Sequence, residues 1–329
     1  MGTGPIFVEE IPIRHVEWDD RLELGEGAFG VVESGTLRRT QRVAMKSVFL
    51  SRLDDPPEEP GIDEIVNFQR EVETYSYMDH INVLKIIGVV QHQGNPEARD
   101  VTLHDPRTCI VVDLLTATRS APAFDRPLPR YPQRLPSHPL PCPRHPQRPN
   151  NGSVGPSRWY GNAFLFARGI RYIHLRGFVH RDIKPDNALI READGLLKIA
   201  DFGMAERIQN GRVNPPDPSG GTLNYMAPEI WRRRILTPKV DIWAFGCCLI
   251  KIFGGGIPWG EFLNWEGWDR HGVIDAVTLQ RRHPWVPAGW PQVVRNIVLD
   301  CLEYRPHRRP SAAEVLYRLE HLTVADVPP

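Results

Sequence analysis

From His180 the chain reads His180-Arg181-Asp182-Ile183-Lys184-Pro185-Asp186-Asn187, and after thirteen intervening residues it reads Asp201-Phe202-Gly203. Chemistry on a nucleoside triphosphate needs a carboxylate that orients an attacking hydroxyl, and oxygen ligands that hold magnesium against the phosphates. Asp182, Asn187 and Asp201 are of the types that supply those groups. Lys184, two residues beyond Asp182, would set a positive charge beside a transferring phosphate. The apolar run Leu196-Leu197-Lys198-Ile199-Ala200 is predicted as a strand that delivers Asp201 to the end of a hairpin.

Other elements must bring a polyphosphate to that loop. Leu22 to Val32 carries glycines at 25, 27 and 30 among apolar residues, with Phe29 near the tip. Glycines let backbone amides approach phosphates without side-chain obstruction. In dinucleotide-binding folds such a run sits between a strand and a helix. Here Val31 to Leu37 reads as a second strand, which favours a hairpin, with an ordinary glycine turn as the simpler alternative. Arg42-Val43-Ala44-Met45-Lys46 follows, and Lys46 needs a carboxylate to fix its position and keep it charged. Ile65, Phe68, Val72 and Tyr75 recur at helical spacing over Ile62 to Met78, a stretch that also carries Asp63, Glu64, Glu71 and Glu73. Between them Asp54 to Gly61 is a polar loop rich in proline and acid. Strands are predicted at Val83–Val90 and Thr108–Leu114, and a helix at Trp159–Leu175 with apolar residues at 159, 163, 166, 170 and 173.

In this order the residues resemble the protein kinase family, whose catalytic loop and Asp-Phe-Gly turn match 180–187 and 201–203. Further matches are Val43-Ala44-Met45-Lys46, Gly221-Thr222-Leu223-Asn224-Tyr225, Ala227-Pro228-Glu229, Asp241-Ile242-Trp243-Ala244-Phe245-Gly246 and Arg309. The resemblance covers about Trp18 to Leu322. It implies an α+β fold of two lobes: a small five-stranded antiparallel sheet with one main helix, over a larger, mainly α-helical lobe, with ATP and Mg2+ in the cleft between them. It selects Glu71 as the partner of Lys46, because His80-Ile81-Asn82-Val83 fixes the register of the preceding helix. By the same resemblance Lys46 touches the α and β phosphates, and Gly25, Gly27 and Gly30 cradle them. Leu24, Val32, Ala44, Val112 and Leu189 line the adenine pocket, and the backbone of Asp113 and Leu115 meets the adenine edge. Asn187 and Asp201 hold magnesium, Asp182 accepts the proton of the substrate hydroxyl, and Thr222 bridges Asp182 and Lys184. His180 is structural, Asp241 braces the loop and Arg309 pairs with Glu229. Lys184 and the Gly-Thr pair imply an acceptor that is a protein Ser or Thr. Arg181 is the residue that commonly pairs with a phosphate on the activation segment. Ser219 is the only hydroxyl between 204 and 221, which makes it the candidate activating site, with Asp217 as a weaker permanent charge. The C-terminal Arg309-Pro310-Ser311-Ala312-Ala313-Glu314-Val315-Leu316 resembles the tyrosine-kinase-like group of Ser/Thr kinases.

Composition sets bounds around that reading. Lys plus Arg equals Asp plus Glu at 40 each among 329 residues, so no global field argues for nucleic acid or a membrane surface. Five cysteines without metal spacing, and no signal peptide, suggest reduced thiols in a cytoplasmic or nuclear protein. No apolar run approaches the roughly 20 residues that span a bilayer. Residue 6 is Ile, so the myristoylation pattern is not met.

One stretch departs from the family. Of the 32 prolines, eleven fall between Ala121 and Pro156, and seven arginines face one acid, Asp125, between Arg119 and Arg158. Residues 116–157 are therefore expected to be polyproline II or disordered. They separate an N-lobe at 18–114 from a C-lobe at 158–322, with an extension at 1–17 and a tail at 323–329. Pro129–Arg134 and Pro143–Arg148 fit the Pro-x-x-Pro-x-Arg pattern read by SH3-type partners, but an unstructured insertion is the favoured reading. Two alternatives to a Ser/Thr kinase follow. A pseudokinase scaffold would keep the fold without catalysis, and a small-molecule phosphotransferase would lack the peptide-binding segment at 221–229.

Overall fold

In the computed structural model the described residues are 5–27, 30–47, 62–90, 109–113, 117–119, 156–191, 194–213, 221–254, 256–264 and 267–326. The chain forms the two lobes. In the smaller one the strands are β1 (Glu9–Glu10), β2 (Val16–Gly27), β3 (Gly30–Leu37), β4 (Gln41–Ser47), β5 (Ile86–Val90) and β6 (Cys109–Asp113). Helix α1 (Ile62–Ser76) lies between β4 and β5 in the chain. Across the sheet the order is β1-β5-β6-β4-β3-β2.

Register decides which side chains reach the cleft. Antiparallel pairing sets Val32 opposite Lys46 and Ala44 opposite Val112. Side chains alternate along a strand, so Val43, Met45, Cys109 and Val111 share one face, and Ala44, Lys46, Ile110 and Val112 the other. The first set closes a small outer core with Ile11, Val16, Leu37 and Val90. Ala44, Ile110 and Val112 belong instead to the main core, which runs beneath α1 through Phe68 and Tyr75 and into the larger lobe.

The sheet has six strands rather than the expected five, and one of them is parallel. Glu9 pairs with Gly88 and Glu10 with Val89 in a parallel ladder of β1 on β5. Glycine at 88 permits that approach, since a Cβ there would lie 2.5 Å from the Glu9 carbonyl oxygen. Ile11, 1% exposed, pins the segment to the outer core. Residues ahead of Trp18 thus cover a sheet edge. A strand this short and acidic has no alternation for a pattern reading to find.

The rest of the chain adds β7 (Ala117–Arg119), α2 (Pro156–Leu175), β8 (Phe178–Val179), β9 (Ala188–Arg191), β10 (Leu197–Ile199), β11 (Glu206–Arg207), α3 (Pro228–Trp231), α4 (Lys239–Ile252), α5 (Arg270–Thr278), α6 (Gln292–Cys301) and α7 (Ala312–Glu320). Of the apolar positions predicted on α2, residues 163, 166, 170 and 173 are buried. Helix α4 is buried from Val240 to Ile250, so it is the axis of the larger lobe rather than a surface helix. β9 and β10 form the expected hairpin, with Leu197 opposite Ile190 and Ile199 opposite Ala188.

Two short pieces of the proline-rich stretch are ordered elements, contrary to the expectation for 116–157. β7 pairs with β9. It precedes Pro122, so each of its residues keeps an amide for the ladder. Helix α2 starts at Pro156, where a proline costs nothing because first-turn amides have no partner within the helix. The two Pro-x-x-Pro-x-Arg matches lie outside the described residues, as does the polar loop at 54–61. Among the described residues no helix is long and apolar enough to cross a membrane.

Candidate active site

The loop between β8 and β9 is held from below by one buried carboxylate. Asp241, on α4, is 0% exposed. It accepts the His180 amide at 2.9 Å, the Arg181 amide at 2.8 Å and His174 Nε2 at 2.8 Å. Burial pushes its pKa up, but the hydrogen bond and charge of His174 outweigh this and leave it below the usual carboxylate value. Two charge-assisted bonds to consecutive amides hold Arg181 at φ 68°, a left-handed conformation that costs a non-glycine residue about 1–3 kcal/mol. With the proton on Nε2, His180 donates to the Ala200 carbonyl at 3.1 Å and accepts the Asp182 amide at 3.3 Å. The turn this creates carries Asp182, itself buried.

Around the Asp182 carboxylate three groups converge. Thr222 donates its hydroxyl to Asp182 Oδ1 at 3.1 Å, Lys184 Nζ lies 2.7 Å from Oδ2, and the Asn187 amide nitrogen is 3.0 Å from Oδ2. Lys184 also donates to the Thr222 hydroxyl at 3.0 Å. The Asp182 carboxylate is thus oriented by a cation, a hydroxyl and an amide at once.

A second cluster joins the lobes. Lys46 Nζ is 2.9 Å and 3.0 Å from the two Glu71 oxygens and 2.6 Å from Asp201 Oδ1. Burial opposes the Lys46 charge, yet attraction to Glu71 and then Asp201 wins and raises its pKa above the ordinary lysine value. Burial also raises the pKa of Glu71, with Lys46 opposing. That of Asp201 falls, because Lys46 outweighs its burial. Shared between two carboxylates, Lys46 remains a cation.

Asp201 reaches this position on a second left-handed residue, φ 64°. Its amide donates to the Tyr75 hydroxyl at 3.3 Å. The buried Phe202 ring packs edge-on to Tyr75, centroids 4.8 Å apart, and tilted against His180 at 5.0 Å. A column of rings thus ties α1, the Asp201 turn and the Asp182 loop together. Tyr75 was legible only as one apolar position of α1, and its hydroxyl gave no separate signal.

Leu24, Val32 and Leu189 are partly buried against the main core that contains Ala44 and Val112. Gly27 pairs with Gly30 and Gly25 with Val32, which makes the glycine run a hairpin. Asp113 ends β6, its backbone paired with Val43. Phe29, Leu115, Asp217 and Ser219 lie outside the described residues. Arg309 forms the predicted pair with Glu229, bidentate at 2.7 and 2.9 Å, with its guanidinium over Trp243. Arg181 is engaged by Glu206, a contact the sequence reading did not anticipate.

The donor set fits magnesium. Asn187 uses its amide nitrogen on the Asp182 backbone and side chain, which leaves its carbonyl oxygen to ligate. Asp201 engages Lys46 through Oδ1, which leaves Oδ2. Mg2+ takes oxygen ligands and is commonly held by one or two protein groups plus phosphates. No cluster of three or more His, Cys, Asp or Glu metal ligands occurs among the described residues. A separate groove of about 910 Å³ lies on the larger lobe, lined by Leu175, Arg234, Ile235 and Pro306, and contains none of Lys46, Glu71, Asp182, Lys184, Asn187 and Asp201.

The chain matches the family model described as "Protein tyrosine and serine/threonine kinase" over residues 20–319. It is 26% identical over 311 residues to mitogen-activated protein kinase kinase kinase 5 of Homo sapiens, covering 93% of this chain and 19% of that protein. Mitogen-activated protein kinase kinase kinase nsy-1 of Caenorhabditis elegans is 34% identical over 161 residues, covering 48% and 10%. Mitogen-activated protein kinase kinase kinase 12 of Rattus norvegicus is 33% identical over 174 residues, covering 53% and 18%. The chain thus spans a fifth or less of these relatives.

Proposed function

The chain belongs to the protein tyrosine and serine/threonine kinase family, and from that premise we propose that it transfers the γ-phosphoryl group of ATP to a Ser or Thr hydroxyl of a protein. Members of the family use ATP with Mg2+ and act on proteins in general. In this chain Gly25, Gly27, Gly30 and Lys46 would hold the phosphates, with Glu71 keeping Lys46 in place. Leu24, Val32, Ala44, Val112 and Leu189 would enclose the adenine, whose edge meets the backbone of Asp113 and Leu115. Asn187 and Asp201 would hold Mg2+, which supplies charge neutralisation for the phosphates.

Asp182 orients the acceptor hydroxyl. The acceptor oxygen bonds to the γ-phosphorus, the bond to the bridging oxygen breaks, ADP leaves, and the hydroxyl proton passes to Asp182. Lys184 stabilises negative charge on the transferring group. The observation that carries this reading is the Thr222 hydroxyl lodged between Asp182 and Lys184 at 3.1 and 3.0 Å. It anchors the segment before Ala227-Pro228-Glu229 against the catalytic groups, as a peptide-phosphorylating site requires and a small-molecule site does not. The matched relatives are named as kinases of kinase kinases, and we extend that class to the acceptor, a second protein kinase.

Radiolabelled phosphate transfer to a generic basic protein, and to a catalytically dead protein kinase, tests the reading. Asp182→Ala is expected to lower the rate roughly 100- to 10,000-fold while Mg-ATP binding persists. Counts at background for the wild-type chain as well, with Mg-ATP bound, would sink it in favour of a scaffold.

A further inference from the structure

Arg181 carries a charge that the steps above do not use. Its side chain is 5% exposed, and an isolated guanidinium at that depth is strongly disfavoured. Burial works against its charge, and Glu206 is the first counterweight. Asp241 also lies near, but its oxygens are occupied by the two loop amides and His174. Arg181 Nη1 donates to Glu206 Oε1, and among the described residues no other carboxylate pairs with it.

The pairing is built into the backbone. Glu206 and Arg207 form β11, which lies antiparallel on β8 with Glu206 opposite Val179. Val179 is two residues before Arg181, so the ladder sets the Glu206 carboxylate beside the entry to the catalytic loop. Arg207, its neighbour, points elsewhere, over the Tyr77 ring at 5.1 Å. Meanwhile the chain from 204 to 221 offers one hydroxyl, Ser219, as a source of phosphate.

Resting on the kinase reading above, we propose that Glu206 is a positioning residue that supplies Arg181 with its counter-charge from within the chain, so that the catalytic loop is set without phosphate on the activation segment. The carboxylate holds the guanidinium against β11. The guanidinium, in turn, holds the left-handed turn that presents Asp182. A phosphate brought to the same place would meet a like charge instead of a free arginine.

The full chain is treated with a broad-specificity phosphatase, its unmodified mass verified, and two quantities are measured: phosphoryl transfer to a basic protein, and hydrogen exchange of the amides from His180 to Asn187. Dephosphorylated wild type is expected to keep its rate within about twofold. Glu206→Gln keeps the shape and loses the charge, so kcat is expected to fall roughly tenfold, the effect of one charge-assisted bond, with KM for ATP little changed. In Glu206→Ala, added acetate is expected to restore part of the rate, which a general folding defect would not allow. Loss of activity on dephosphorylating wild type overturns the proposal, and so does a Glu206→Gln variant faster than wild type, which would make the pair a brake. If no form transfers phosphate, the kinase reading fails and exchange alone decides. Loop amides protected in wild type and released in Glu206→Ala uphold the positioning role, and equal exchange overturns it.

Discussion

Asp182, Lys184 and Asn187 lie within five residues of one another, whereas Lys46 meets Glu71 across 25 residues of chain and Asp201 across 155. The first cluster rests on Asp241 and α4, at the centre of the larger lobe, where nearly every neighbour is buried. The second spans two lobes and is fixed by one helix, α1, through Glu71 and the Tyr75–Phe202 contact. The loop therefore shares the stability of the lobe's core, and disturbing it costs folding free energy. The junction is made of a few long-range contacts, so it can fail while both lobes stay folded.

Lys46→Met should separate the two most sharply. It removes the cation that Glu71 and Asp201 share, and a loss of one such electrostatic group lowers rate by about 100- to 1,000-fold. Glu71 is already pushed toward the neutral form by burial, so it takes up a proton and the melting temperature stays close to wild type. Unfolding of Lys46→Met at room temperature would show that the junction is part of the core after all.

Asp241→Asn attacks the loop instead. The new amide nitrogen would face a donor, from His180 or Arg181, where the carboxylate accepted one. Breaking charge-assisted bonds in a buried site costs about 3 kcal/mol or more, so stability and activity should fall together. The pH dependence carries a sign. The folded pKa of Asp241 lies below the unfolded value near 3.8, so its contribution is fully present above that pH and is lost as pH falls through the folded pKa. Denaturation monitored from pH 6 to pH 2 should therefore show a shallower acid-side slope in the Asn variant. Identical slopes would mean that Asp241 does not brace the loop as a carboxylate.

Tyr75→Phe is the smallest change. The ring contact with Phe202 survives and only the acceptor for the Asp201 amide is lost, at a cost of about 0.5–1.5 kcal/mol. Transfer should slow by less than about tenfold, with no change in large-lobe unfolding. A loss as great as that of Lys46→Met would place the hydroxyl, rather than the ring column, in control of the junction.

How much of this was legible follows from chain distance. Two lobes, the α2 positions 163, 166, 170 and 173, and the hairpin of β9 and β10 were readable, because period and apolar spacing are local properties. Glu71 was readable only through the register that the resemblance supplied, since Asp63, Glu64 and Glu73 share its helix. β1 was not, because its pairing depends on Gly88 far along the chain. β7 and the start of α2 were missed because proline density was read as uniform, when position relative to each proline decides whether an amide is needed. Arg181 was read as awaiting a phosphate because its partner lies on a strand with no pattern of its own.

By itself the sequence determined the chemical groups of the catalytic loop and their order, since residues a few positions apart in one turn have little freedom in where they lie. Only the tertiary structure decided which charge answers which: Lys46 shared by Glu71 and Asp201, Thr222 set between Asp182 and Lys184, and Arg181 given to Glu206. A sequence holds 40 acidic and 40 basic side chains, any of which attract. Burial and strand register are what remove the other partners.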